Sequence, residues 1–138
     1  GEDQVRQAAQ DAGVRGDIEG FEHGFDTMLG ERGVNLSGGQ KQRISIARAL
    51  VKSPRVLFLD DCLSAVDTET EDAILSAIEK QEAACTLMVS HRLASLRNAD
   101  RILVMDEGKI VESGTPDELL AAGGLYATMF EQQKAEQD

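Results

Sequence analysis

The sequence predicts an α/β fold on a parallel sheet, and three observations carry that prediction. Residues 55–59 and 86–89 are short apolar runs that close on polar residues, the pattern of strands buried on both faces. Residues 68–81 between them repeat apolar side chains at helical spacing, so strand, helix and strand make a right-handed βαβ unit. Serine or threonine followed three residues later by glutamine or glutamate, at Ser37/Gln40, Thr68/Glu71 and Thr115/Glu118, marks three helix starts.

From the N-terminus, residues 2–11 are polar and helix-compatible. Gly13, Gly16, Gly20 and Gly24 then break the chain into short pieces ending at Leu29, and this whole first segment reads as peripheral. A helix is favoured over 37–51 with Ile44, Ala47, Leu50 and Val51 inward, and Ser53-Pro54 stops it. Val56-Leu57-Phe58-Leu59 is the first strand, closed by Asp60-Asp61, and the next helix turns Ile74 and Ile78 inward. Thr86-Leu87-Met88-Val89 is the second strand, ending at Ser90-His91. Residues 101–105 and 109–112 flank Asp106-Glu107-Gly108, a hairpin turn with glycine where positive φ is wanted. Thr115 caps a helix with Pro116 at its first position. Leu125, Tyr126, Met129 and Phe130 form the core-docking stripe of a last helix that frays into 131–138.

The length, 138 residues, suits one domain with a real core. A net charge of −11, spread along the chain, argues against a broad nucleic-acid footprint. Cys62 and Cys85 make no metal-type pair and lie in apolar, strand-like surroundings, so they read as buried thiols suited to a reducing compartment. No apolar run approaches the roughly 20 residues that cross a bilayer, and the first residues lack a basic-then-apolar signal. Contact with a membrane is therefore expected only through a partner.

Chemistry concentrates in a few stretches. Leu36-Ser37-Gly38-Gly39-Gln40 has the serine and glutamine of a capping box, which leaves two glycines unexplained at about 1 kcal/mol each relative to alanine. Without β-carbons, an anion can approach the free N–H groups and the positive end of the helix dipole. Asp60 and Asp61 end a strand where open α/β sheets place ligands, and hard oxygens there suit Mg²⁺; a pair of solvated loop acids is the bland alternative. Leu63-Ser64-Ala65-Val66-Asp67 is by itself a turn with an N-cap candidate. His91, after the second strand, is either a structural histidine or one that can reach a phosphate. His23 has no such context.

LSGGQ followed by Lys41-Gln42-Arg43 resembles the signature motif of ABC-type ATPases, which closes over the γ-phosphate of ATP held by a second subunit. The resemblance implies that Ser37, Gly38 and Gly39 meet phosphate and that Gln40 lies close to the ribose. Val56 to Asp61 resembles a Walker B strand, with Asp60 on Mg²⁺ and Asp61 in the position that orients the attacking water. The family usually has glutamate there. Aspartate is one methylene shorter, and a misplacement of about 1 Å can cost on the order of 10²-fold, so slow or absent turnover is implied. Asp67 matches the D-loop acid that reaches toward the opposite site, and His91 matches the switch histidine expected on the γ-phosphate. Thr27 to Gly33 is similar to a segment of ABC exporters in which the acid at Glu31 communicates with the transmembrane domains.

No G-x-x-x-x-G-K-[ST] P-loop occurs in the chain. The resemblance therefore covers the C-terminal portion of an exporter-type ATP-binding domain, lacking the Walker A half. On this reading the fold is a partial P-loop NTPase-like parallel sheet with flanking helices. Residues 1–52 hold part of the helical subdomain with the signature motif, and 53–138 hold the C-terminal part of the RecA-like core. The implied function is that of a transport-coupled ATPase at the cytoplasmic face of a membrane, using ATP and Mg²⁺ and pairing with a second ATPase subunit, identical or not. It is attached through a missing transmembrane domain, and nucleic acid is not a partner. The isolated chain is expected to be inactive, with apolar strand faces or edges unpaired. A soluble ABC-type ATPase of DNA maintenance and a non-hydrolysing interaction module are the alternatives.

Overall fold

The computed structural model describes residues 1–30 and 34–137. The chain packs as two units, Gly1–Val89 and the segment from Ser90 onward.

The first unit runs α1 (Glu2–Asp11), α2 (Arg15–Glu19), a 3₁₀ turn (Gly24–Asp26), α3 (Gly38–Leu50), β1 (Val56–Asp60), α4 (Thr68–Glu79) and β2 (Cys85–Val89). The N-terminal segment is not peripheral. Ala8, Ala9, Ala12 and Val14 are buried in one cluster with Ile46, Leu50, Leu57, Leu59, Ile74 and Ile78, so residues on both sides of position 52 build a single core. Small side chains at 8, 9 and 12 let α1 approach closely, a pattern that a search for large apolar residues overlooks. Arg6 also lies over the Phe25 ring at 5.0 Å, tying the 3₁₀ turn to α1.

α3 starts on Ser37, as its capping box predicts, and turns left-handed at Ser53 (φ 46°) before Pro54. Its inward residues are Ile46 and Leu50, one turn apart, with Ile44, Ala47 and Val51 at the margin. α4 is capped by Asp67 rather than Thr68. The Asp67 carboxylate accepts from Thr70 N–H at 3.0 Å and Thr70 Oγ1 at 2.7 Å, while Glu71 is buried. A charged acceptor one residue earlier out-competes the hydroxyl for the same free donors.

β1 and β2 pair in parallel, Val56 opposite Cys85 and Asp60 opposite Val89, with α4 as the connection. Neither strand is buried on both faces. Leu57 and Leu59 point into the core, whereas Val56 and Phe58, each 59% exposed, share the other face with Leu87 and Val89. Cys85 lies on that open face and is exposed; Cys62 is half-buried. Helices cover one side of this sheet only, and side chains that alternate across a strand must then divide between core and solvent.

The second unit holds a 3₁₀ turn (Leu93–Leu96), the antiparallel pair β3 (Ile102–Asp106) and β4 (Lys109–Gly114), α5 (Pro116–Ala122) and α6 (Leu125–Gln137). Glu107 and Gly108 both have positive φ, 48° and 75°, which is the two-residue turn whose twist matches an antiparallel pair. α5 has the predicted Thr115 cap and Pro116 at its start. α6 does not fray at 131 but stays helical to Gln137. Glu112 of β4 accepts from the Tyr126 N–H at 2.9 Å, placing a carboxylate at the start of α6, and Tyr126 is buried with Leu93, Ile102, Val104 and Leu119. No helix among the described residues is long and apolar enough to cross a membrane.

Candidate functional site

The signature stretch forms the first turn of α3. Ser37 Oγ accepts from Gln40 N–H at 3.1 Å, and Gln40 Oε1 accepts from Ser37 N–H at 3.0 Å. The serine hydroxyl thereby keeps its own proton for another acceptor. The Gly38 and Gly39 N–H groups lie in the first turn, where no acceptor exists within the helix. Two donors from the backbone and one from Ser37 thus gather at the positive end of a 13-residue helix, a set that suits phosphate oxygens.

The two glycines have different surroundings. A β-carbon on Gly39 would meet the Ala65 carbonyl oxygen at 2.7 Å, closer than β-carbons come to backbone, whereas one on Gly38 would lie in ordinary contact with Ala65 Cβ at 3.7 Å. Gly39 is therefore required by packing within the chain, a reason invisible in the local sequence. Gly38 is the glycine whose missing side chain leaves the helix end open.

A brace that the sequence does not announce holds this turn. Gln40 Nε2 donates to Asp17 Oδ1 at 3.0 Å, and Arg43 Nη1 pairs with Asp17 Oδ2 at 2.9 Å and donates to the Gly13 carbonyl at 2.6 Å. The Gln40 hydrogen bond, followed by the Arg43 charge, holds the Asp17 carboxyl below its ordinary range against partial burial. Asp17 sits in the glycine-broken segment, far along the chain from α3, so no spacing rule points to it. Gln40, which the resemblance puts near the ribose, has both ends of its carboxamide engaged in this frame.

The loop between β1 and α4 lies against the same helix. Gln42 donates from Nε2 to Ser64 Oγ and accepts from Ala65 N–H, each at 2.8 Å. Signature and D-loop stretches are thus brought together. Asp67, at the end of the loop, is exposed, and its hydrogen bonds with Thr70 lower its pKa.

Asp60 and Asp61 are exposed where β1 ends. Asp61 N–H donates to the Val89 carbonyl at 2.8 Å, carrying the ladder one residue past the strand, and its φ of 48° turns the chain sharply there. Aspartate tolerates that left-handed conformation better than most side chains. Among the described residues no group of three or more His, Cys, Asp and Glu side chains could hold a metal ion. Two adjacent carboxylates nonetheless fit Mg²⁺, which takes one or two carboxylates and fills its octahedron with water and substrate phosphates. Burial pushes the Cys62 thiol upward, with the Asp61 and Asp60 charges adding to it, so this cysteine is a poor nucleophile.

His91 belongs to the second unit, where its side chain is exposed. Gln133 of α6 brackets it: Nε2 donates to the His91 carbonyl at 2.7 Å and Oε1 accepts from Leu93 N–H at 2.9 Å. Glu31 lies outside the described residues.

The family model for ABC transporters matches residues 2–64. An ATP-dependent lipid A-core flippase of Hahella chejuensis is 50% identical over 137 residues, 99% of this chain and 23% of the relative. A probable multidrug resistance ABC transporter ATP-binding/permease protein of Bacillus subtilis is 51% identical over 132 residues, 95% of this chain and 23% of the relative. A mitochondrial potassium channel ATP-binding subunit of Xenopus tropicalis is 47% identical over 96% of this chain and 20% of its own length. The chain thus spans less than a quarter of each of these relatives. Among solved structures, a bacterial Atm1-family ABC exporter with ATP bound matches at a TM-score of 0.88 and 41% identity, over 96% of this chain and 24% of that one. With the signature, Walker B and switch motifs in order on a matching fold, the chain belongs to the ABC transporter family, as part of an exporter-type ATP-binding domain.

Proposed function

We propose that this chain supplies the signature side of an ATP site in the ATPase subunit of an ABC exporter, coupling ATP binding and hydrolysis to solute transport. The observation that carries the reading is the start of α3, where the Ser37 hydroxyl and the Gly38 and Gly39 N–H groups form an anion-suited donor set beside an open glycine. Ser37, Gly38 and Gly39 bind the terminal phosphate of ATP held by a second ATPase subunit, and Gln40 lies near the ribose while bracing the turn. Asp60 holds Mg²⁺, which offsets phosphate charge when bound. Asp61 orients the attacking water, His91 contacts the γ-phosphate, and Asp67 reaches toward the opposite site.

Residues 1–52 supply the part of the helical subdomain with the signature motif and 53–138 the C-terminal part of the ATPase core, joined through their shared packing as one incomplete domain. Glu31 communicates with the transmembrane domains, which place the protein at the cytoplasmic face of a membrane. The chain alone, with no P-loop motif in its sequence, binds Mg-ATP weakly at best and does not turn it over. Exporters among the relatives favour this reading over a DNA-maintenance ATPase, as does the acidic balance of the chain.

The test is ATP hydrolysis by the full-length, membrane-reconstituted protein. Ser37→Arg is expected to lower kcat/KM about 100-fold by removing one donor and filling the cradle. Asp61→Glu is expected to raise kcat by lengthening the reach to water. Wild-type kinetics in Ser37→Arg would overturn the assignment, and an unchanged kcat in Asp61→Glu would remove the claim that aspartate slows this site.

A further inference from the structure

Gln42 lies outside the LSGGQ stretch, yet both ends of its carboxamide are committed to the loop that precedes Asp67. Ala65 N–H and Ser64 Oγ each meet it at 2.8 Å. Gly39, three residues earlier and so on the same face of α3, presents bare backbone to the Ala65 carbonyl. One helical turn therefore grips two successive loop residues from two directions. The grip does not belong to the core: Ser64 and Ala65 are exposed. Hydrogen bonds at such a place compete with water and add little to folding, but they decide which way the loop points.

We propose that Gln42 is a positioning residue that locks the Ser64–Ala65 backbone, and through it Asp67, to the start of α3, so that both parts of the chain facing a second subunit move as one body. The inference rests on the nucleotide-site reading above. Leu63 and Val66 anchor the loop in the core on either side of this pair, and Gln42 fixes the exposed Ser64–Ala65 backbone that bulges between them; without it that exposed stretch is free to turn away from the start of α3.

The test uses the full-length transporter and reads ATP-driven closure of its paired ATPase domains, by spin-label distances across the pair, so that no turnover is needed. Gln42→Met keeps the length of the side chain and removes its donor and acceptor. The ATP concentration for half closure is expected to rise about tenfold while thermal unfolding stays unchanged. Ser64→Ala should shift closure in the wild-type background and add less than about twofold to Gln42→Met, because the two residues act through one contact. Closure at the wild-type ATP concentration in Gln42→Met, or full additivity with Ser64→Ala, overturns the proposal. A loss of closure that merely tracks a lowered unfolding temperature overturns it too. Gly38→Asp separates the two levels. If it closes normally, the nucleotide-site reading itself fails; if it cannot close while Gln42→Met is normal, only the role of Gln42 is lost.

Discussion

Gly38 and Gly39 stand side by side in the first turn of α3 for different reasons. Gly39 is bare because the Ala65 carbonyl occupies the space of a β-carbon; Gly38 has room for one. Gly39→Ala should therefore destabilise the protein by about 1–3 kcal/mol, since backbone has to move. Gly38→Ala should hold or raise stability, by up to about 1 kcal/mol, and still weaken the response to ATP. Denaturant unfolding set beside ATP-driven closure checks both; equal stability losses at the two positions would remove the distinction. The cap formed by Ser37 and Gln40 is legible in the sequence because it joins neighbours three residues apart. The demand on Gly39 is not, because Ala65 arrives from another element.

Between elements, the Asp17 carboxylate joins α2 to α3 through Gln40 and Arg43. Those partners favour its charged form in the folded protein, so its folded-state pKa lies below the unfolded one. The unfolded chain then binds more protons across that interval, and stability rises with pH. The contribution is complete above the ordinary aspartate pKa of about 3.9 and is lost as pH falls through the lower folded value. Partial exposure of both side chains, 18% for Arg43 and 31% for Asp17, keeps it below about 1 kcal/mol. Asp17→Asn should differ from wild type at about pH 5 and approach it as pH falls through the lowered folded-state pKa of Asp17, read as thermal unfolding midpoints over an acid series. A constant difference at every pH would assign the effect to packing instead.

In the whole chain, one side of the β1–β2 sheet carries Val56, Phe58, Leu87 and Val89 to solvent. A contiguous apolar face of this kind drives association. The 138-residue chain in isolation should self-associate, and Phe58→Lys should shift it toward monomer in sedimentation velocity without lowering its helix content. A chain that is monomeric with Phe58 intact would count against an adhesive face. The caps at Ser37 and Thr115, the turn at Glu107-Gly108, the strand–helix–strand order and the family motifs are written in runs of neighbouring residues and are legible there. Folding sets which strand face is covered, leaves Cys85 exposed, brings α1 into the core, and lets Asp17 and Gln42 hold the signature turn and the loop beside it. Capping and turn chemistry act over three or four residues and leave a periodic trace, whereas covering a face or receiving a hydrogen bond depends on residues that come close only after the chain has folded.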